Sequence, residues 1–259
     1  LCGTYTLGGE DADFASFGEL ATVLNNAGIT CPVTINVRDG VYDDKFIVGN
    51  VLGNSITNTI TIQGESGDSS LVTLEHADGV TYKFIELTNV AGFTFRHMKI
   101  KSLTSTVNPF IQFTNCDSLR LVNCDFGSYN QYNNGSWQWV GNARDNRLFF
   151  TNCSGVLIEN NANLLGCNID INDGRHNVFR ILNNTNINTY SRDGIGYDGN
   201  NGSVKLTISG NTFTESNANE NQIYTRHDSL YTDTVIVSNN VFYRRSKFYN
   251  LELMSYNSE

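Results

Sequence analysis

Proline is nearly missing from this chain, two residues in 259, and no stretch is rich in Ser and Pro or in charges of one sign. Nothing reads as a linker, so one continuous domain over 1–259 is expected. Long apolar runs are missing too. None approaches the roughly 18–20 residues that span a bilayer, which argues against membrane insertion, and none resembles the apolar core of a secretory signal. Positive charge is short, with 17 Lys and Arg against 26 Asp and Glu, a net of −9. Nucleic acid is therefore a poor partner, because phosphate binding draws on clustered cations. Six cysteines without any CxxC spacing exclude the usual zinc sites and are too few for a disulfide scaffold.

Asparagine is abundant. There are 36, with 23 Gly, while Met and Lys are scarce. Turn formers are plentiful and helix formers few, a composition for β-structure. With 39% hydrophobic residues the chain can bury a sizeable core. The acidity is uneven: residues 1–172 hold 9 Lys and Arg against 17 Asp and Glu, and residues 173–247 hold 8 against 7. The later part is the better host for an anionic ligand.

Six segments can be aligned: FTFRHMKI (93–100), LRLVNCDF (119–126), VLIENNANL (156–164), FRILNNTNI (179–187), LTISGNTF (206–213) and VIVSNNVF (235–242). Each is an apolar alternation, a polar pair, then another apolar pair. Anchoring on the second residue of the pair gives Met98, Cys124, Asn161, Asn184, Asn211 and Asn240, at intervals of 26, 37, 23, 27 and 29. A second register, LTN (87–89), FTN (113–115) and FTN (150–152), sets Thr ten residues ahead of its anchor. A repeat of this length built of short strands alone is the mark of a solenoid whose turns bury their apolar faces only by stacking. Asn161, Asn184, Asn211 and Asn240 would then form a column, passing amide N–H to amide C=O between turns about 4.8 Å apart.

Over about residues 30–245 this pattern resembles the right-handed parallel β-helix of the pectin lyase-like superfamily, including β-helix modules of large secreted bacterial proteins. The fold implied is all-β with a short N-terminal capping helix. That cap occupies 1–30: in DFASFGELATVLNNAG (13–28), Asp13 reads as N-cap, Phe17, Leu20, Ala21 and Leu24 make one apolar stripe, and Gly28 is the stop. Cys2 with Cys31 is the expected disulfide, and Cys116 and Cys153 share one turn position. The start at Leu1 and the stop after MSYNSE read as a piece of a larger parent protein whose other domains are partners.

In this superfamily the sheet ahead of the Thr–Asn position often forms the substrate groove. Period-two alternation leaves Glu86, Gln112, Phe149, Asp170, Asp198, Tyr224 and Arg226 facing outward. The richest patch joins Asp170, Asp173, Arg175 and His176 with Arg192, Asp193 and Asp198, then Tyr224, Arg226, His227 and Asp228. Asp170, Asp198, Arg226 and His227 are the catalytic candidates, because carboxylates on neighbouring turns fall in the range glycosidases use, or could serve β-elimination from a uronate. Ca²⁺ is the one ion considered; the D-x-N-D-G stretch at 170–174 lacks the later ligands of an EF-hand. Motifs of polygalacturonases, pectin methylesterases and pectate lyases are absent, so no residue role is carried over.

The 37-residue interval contains an insertion, 127–147, that holds Tyr129, Tyr132 and both tryptophans, Trp137 and Trp139. Flat aromatic faces among amides suit sugar rings. Together with Tyr224 these are the carbohydrate-binding candidates. The first functional expectation is an extracellular or cell-surface module that binds a polysaccharide or glycan or mediates adhesion. The rival is a polysaccharide lyase or glycoside hydrolase acting on an acidic polymer, and the third is a structural stalk.

Overall fold

The computed structural model describes residues 1–76, 84–102, 111–126, 130–133, 136–139, 147–164, 166–173, 175–185, 187–189, 195–199, 202–216, 223–228, 234–242 and 251–256. Short apolar alternations become strands, and each strand pairs with its equivalent one turn away. The chain is a right-handed parallel β-helix.

The longest sheet has nine strands in chain order: Gly3–Leu7, Val33–Val37, Ile60–Gly64, Phe93–Arg96, Arg120–Val122, Val156–Glu159, His176–Leu182, Ser203–Ser209 and Thr234–Ser238. An eight-stranded sheet stacks Phe46–Gly49, Ile85–Thr88, Ile111–Thr114, Arg147–Thr151, Gly166–Ile171, Ile195–Gly199, Ile223–Asp228 and Leu251–Tyr256. A third side is made of two three-stranded sheets, Gly40–Asp43 with Val72–His76 and Lys99–Ser102, and Ile187–Thr189 with Thr212–Ser216 and Val241–Phe242. All these pairings are parallel and in register, apart from one shift at Asn188/Thr189. Inward positions such as Phe93, Phe113, Phe150, Phe179 and Phe213 are buried in one continuous core.

The corners account for twelve of the 36 asparagines. Asn50, Asn89, Asn115 and Asn152 all have φ of 52–54° at the bend from the eight-stranded into the nine-stranded sheet. At the bend that leaves the nine-stranded sheet, His97, Asn123, Asn160, Asn183, Gly210 and Asn239 take φ of 53–70°. Asn tolerates this left-handed region better than other residues with a Cβ. The next residue at that second bend faces inward, and here the column forms. Backbone and side-chain N–H of Asn161 both donate to Asn184 Oδ1 at 2.9 Å, those of Asn184 to Asn211 Oδ1 at 2.9 Å, and those of Asn211 to Asn240 Oδ1 at 2.8 and 3.0 Å. Each Nδ2 also donates to a carbonyl of the preceding turn: Leu121, Ile158, Ile181 and Ile208 in order.

Cysteine replaces asparagine at equivalent inward bend positions. Cys124 Sγ donates to Phe95 O, the counterpart of the Asn161 bond to Leu121 O, and Cys116 and Cys153 reach Leu87 O and Phe113 O alike. Burial pushes the Cys124 thiol up to about 12, so it is a small donor rather than a nucleophile.

The helix runs Phe17–Ala27 and buries Phe17, Leu20, Ala21 and Leu24, with Gly28 closing it. Its N-cap is Ser16, not Asp13. Ser16 is extended, φ −152°, and its Oγ accepts from Glu19 N, while the Glu19 carboxylate accepts from Ala15 N. Asp13 is already committed elsewhere, accepting from Thr6 N and Thr6 Oγ1 at 2.7 and 2.9 Å. Cys2 and Cys31 form a disulfide across the first turn. Among the described residues no helix is long and apolar enough to cross a membrane.

Candidate functional site

Alternation on the eight-stranded sheet puts every second position in the same row, and in-register pairing turns those positions into vertical columns. There are two, not one. The first runs Ile47, Glu86, Gln112, Phe149, Asn168, Gly196, Tyr224, Glu252. The second runs Gly49, Thr88, Thr114, Thr151, Asp170, Asp198, Arg226, Met254. The outward residues read from the sequence divide between them. Glu86, Gln112, Phe149 and Tyr224 belong to the first, and Asp170, Asp198 and Arg226 are successive positions of the second.

Chemistry changes along that second column from hydroxyls to charges at Asp170. Asp170 and Asp198 are directly paired positions on neighbouring strands, which sets their backbones roughly 4.8 Å apart. Desolvation pushes the Asp170 carboxyl above the usual carboxylate range, and the charge of Asp198 pushes it further. Asp170 Oδ1 is buried and has no hydrogen-bond partner among the described residues. Arg226 registers with Asp198, and His227 with Gly199 in the adjacent row, whose previous position is the buried Ile171.

The rest of the expected patch sits apart from the column. Asp173 and Arg175 pair at 2.6 Å in the turn after Gly166–Ile171, and Arg175 also reaches Asn152 O and Asp117. This is a turn lock. Desolvation raises the Asp173 carboxyl, but hydrogen bonds from the Arg175 backbone and side chain and from Asn177, with the Arg175 charge, together hold it below the ordinary carboxylate range. His176 Nδ1 lies 2.6 Å from Ser203 Oγ. Arg192 and Asp193 lie outside the described residues. No three His, Cys, Asp or Glu converge among the described residues; Asp170 and Asp198 supply at most four of the roughly six to eight oxygens that Ca²⁺ takes, a poor fit by themselves.

The insertion contains an antiparallel ribbon, Asn130–Asn133 with Ser136–Trp139, rather than an open loop. Tyr132 pairs with Trp137 and Asn130 with Trp139, so strand periodicity places the positions of Tyr132, Trp137 and Trp139 on one ribbon face. Tyr129 lies outside the described residues.

No protein-family model matches the chain, and no curated protein does. Among solved structures, those similar to it include pectin methylesterases. The enzyme from Aspergillus niger, in deglycosylated form, is 13% identical over 92% of this chain and 85% of its own, with a TM-score of 0.49. The enzyme from carrot is 13% identical over 96% and 88%, TM-score 0.45, and PemA from Erwinia chrysanthemi 13% over 85% and 89%, TM-score 0.44.

Proposed function

We propose that this chain is a hydrolase acting on a carbohydrate polymer laid across the outer face of the eight-stranded sheet, with Asp170 as general acid and Asp198 as nucleophile. The observation that carries this reading is a carboxyl pair on consecutive turns, in which desolvation and the neighbouring Asp198 raise the Asp170 carboxyl above its ordinary range. A carboxyl held above its ordinary range beside a second carboxyl is suited to the acid role. In double-displacement glycosidases the two carboxyls stand roughly 5–5.5 Å apart, and paired positions on strands roughly 4.8 Å apart put two Asp side chains within that reach. On this reading Asp170 gives its proton to the leaving oxygen while Asp198 forms a bond to the anomeric carbon. Asp170 then takes a proton from the water that releases the sugar. Arg226 stands at the next column position, suited to an acidic polymer, and Tyr224 lies in the neighbouring column.

The test is product release from a panel of acidic and neutral polysaccharides, followed as reducing ends, as released ester groups and as unsaturated ends in parallel. Asp170→Asn and Asp198→Asn are each expected to lower turnover by about 10²–10⁴-fold, the range of general acid–base catalysis. Unsaturated ends appearing one for one with the new reducing ends would replace hydrolysis with elimination. No product from any polymer removes the reading.

A second reading, binding without turnover, is favoured by the ribbon that gathers Tyr132, Trp137 and Trp139 positions on one face. Trp137→Ala combined with Trp139→Ala should abolish retention on a glycan array, in a protein that releases no product from any polymer. Unchanged retention retires the ribbon as a binding element.

A further inference from the structure

The bend that leaves the nine-stranded sheet carries a feature that the candidate site does not use. In most turns this bend is only two residues long, but after Ile60–Gly64 the chain takes a seven-residue excursion before re-entering at Val72. That excursion overhangs the same bend of the following turns. The result is a cleft of about 380 Å³ between Gly67, Asp68 and Ser69 on one wall and His97, Asn123 and Asn160 on the other, floored by Ala162 and the buried Cys124.

The wall residues are there because of their backbone. His97, Asn123 and Asn160 occupy left-handed positions with φ of 53–55°, and stacking of the turns lines them up as a short polar column. Asn123 Nδ2 lies 3.1 Å from His97 Nε2. As the amide donates, that nitrogen is an acceptor and the ring is the neutral tautomer with its proton on Nδ1. Burial and the neighbouring Arg96 both lower its basicity, in agreement. Opposite, Asp68 Oδ1 accepts from Ser70 N, and Asp68 is exposed.

The lining excludes several ligand classes. An anion would meet the Asp68 carboxylate and no charged imidazole. A divalent cation would find one carboxylate. An apolar ligand would strand amides, a hydroxyl and an imidazole. What remains is a neutral molecule rich in hydroxyls: side-chain amides both donate and accept, a carboxylate accepts from hydroxyls, and the Ala162 floor is apolar enough for a C–H face. We infer that this cleft is a second carbohydrate site that takes one neutral sugar ring, independent of the carboxylate column on the eight-stranded sheet. A polymer held there and on the outer sheet face would be bound twice, with the gain in avidity that linkage brings.

The experiment is side-chain amide NMR on the full chain titrated with D-glucose, D-galactose and D-xylose up to about 100 mM, above the millimolar range of weak single-site binding. Saturable shifts at the Asn123 and Asn160 amides are expected with at least one of the three. Asn160→Gly keeps the left-handed backbone, since Gly210 already stands at the equivalent position two turns on, and should weaken binding at least tenfold; Asp68→Ala should weaken it as well. Asp170→Asn should leave these shifts intact, which separates failure here from failure of the hydrolase reading. No saturable shift with any of the sugars, or undiminished binding in Asn160→Gly, overturns the inference.

Discussion

A carboxyl that is hard to ionise costs stability where it must ionise, and Asp170 is such a group. Its basicity is raised first by desolvation and second by Asp198. The folded state therefore holds this proton to higher pH than the unfolded chain does. Between the ordinary carboxylate range and the raised value the folded state binds more protons, so stability falls as pH rises through that window and stays lowered above it. Asp170→Asn should raise the melting temperature near neutral pH and lose that advantage below the ordinary carboxylate range. A melting series across pH checks it, and an equal effect at both ends would contradict the assigned cause. Asn184 presents the opposite balance. Its side chain accepts from Asn161 N and Nδ2 and donates to Ile158 O and Asn211 Oδ1, all buried. Asn184→Ala leaves several of these without partners, and urea unfolding should show a loss of about 3 kcal/mol or more.

At the scale of the element, the capping helix shows how a local signal is displaced by its surroundings. Asp13 and Ser16 are both good N-caps, and the apolar stripe starting at Phe17 is legible in the sequence. The choice between the two caps is not, because it depends on Thr6, a strand residue that takes Asp13 for itself. Ser16→Ala should cost about 1 kcal/mol, and Ser16→Asp should restore most of it, measured by thermal or denaturant unfolding. The insertion makes the same point. Its aromatic content was visible at once, but the antiparallel pairing of Tyr132 with Trp137 comes from register. The bends are the third case: Asn before the anchor reads in the sequence as one half of a polar pair, whereas its work is to hold φ near 53–55° while the next residue turns inward.

At the scale of the molecule, each turn is stable only on its neighbours. The first turn has a neighbour on one side alone, and the helix and the Cys2–Cys31 disulfide stand at that end. Cys2→Ser with Cys31→Ser should lower stability by about 2–4 kcal/mol, as expected for opening a loop of this length. The loss should concentrate in the first turns. Hydrogen exchange by mass spectrometry should show faster exchange in the strands Gly3–Leu7 and Val33–Val37 and little change beyond Phe93–Arg96.

The sequence by itself determined the stacking. Alternation, the interval between Met98, Cys124, Asn161, Asn184, Asn211 and Asn240, and the offset of Thr88, Thr114 and Thr151 are properties of the chain that only a parallel coil satisfies together. It also named Asp170, Asp198 and Arg226, since charge on an outward strand position can be read from alternation. The tertiary structure alone decided which outward residues share a column, because turns differ in length and a single extra residue in a bend resets what lies above what. That is why Phe149 and Tyr224 fell away from Asp170, why Asp173 and Arg175 became a turn lock, and why Asp68 came to face Asn160, three turns further along the chain, across an open cleft.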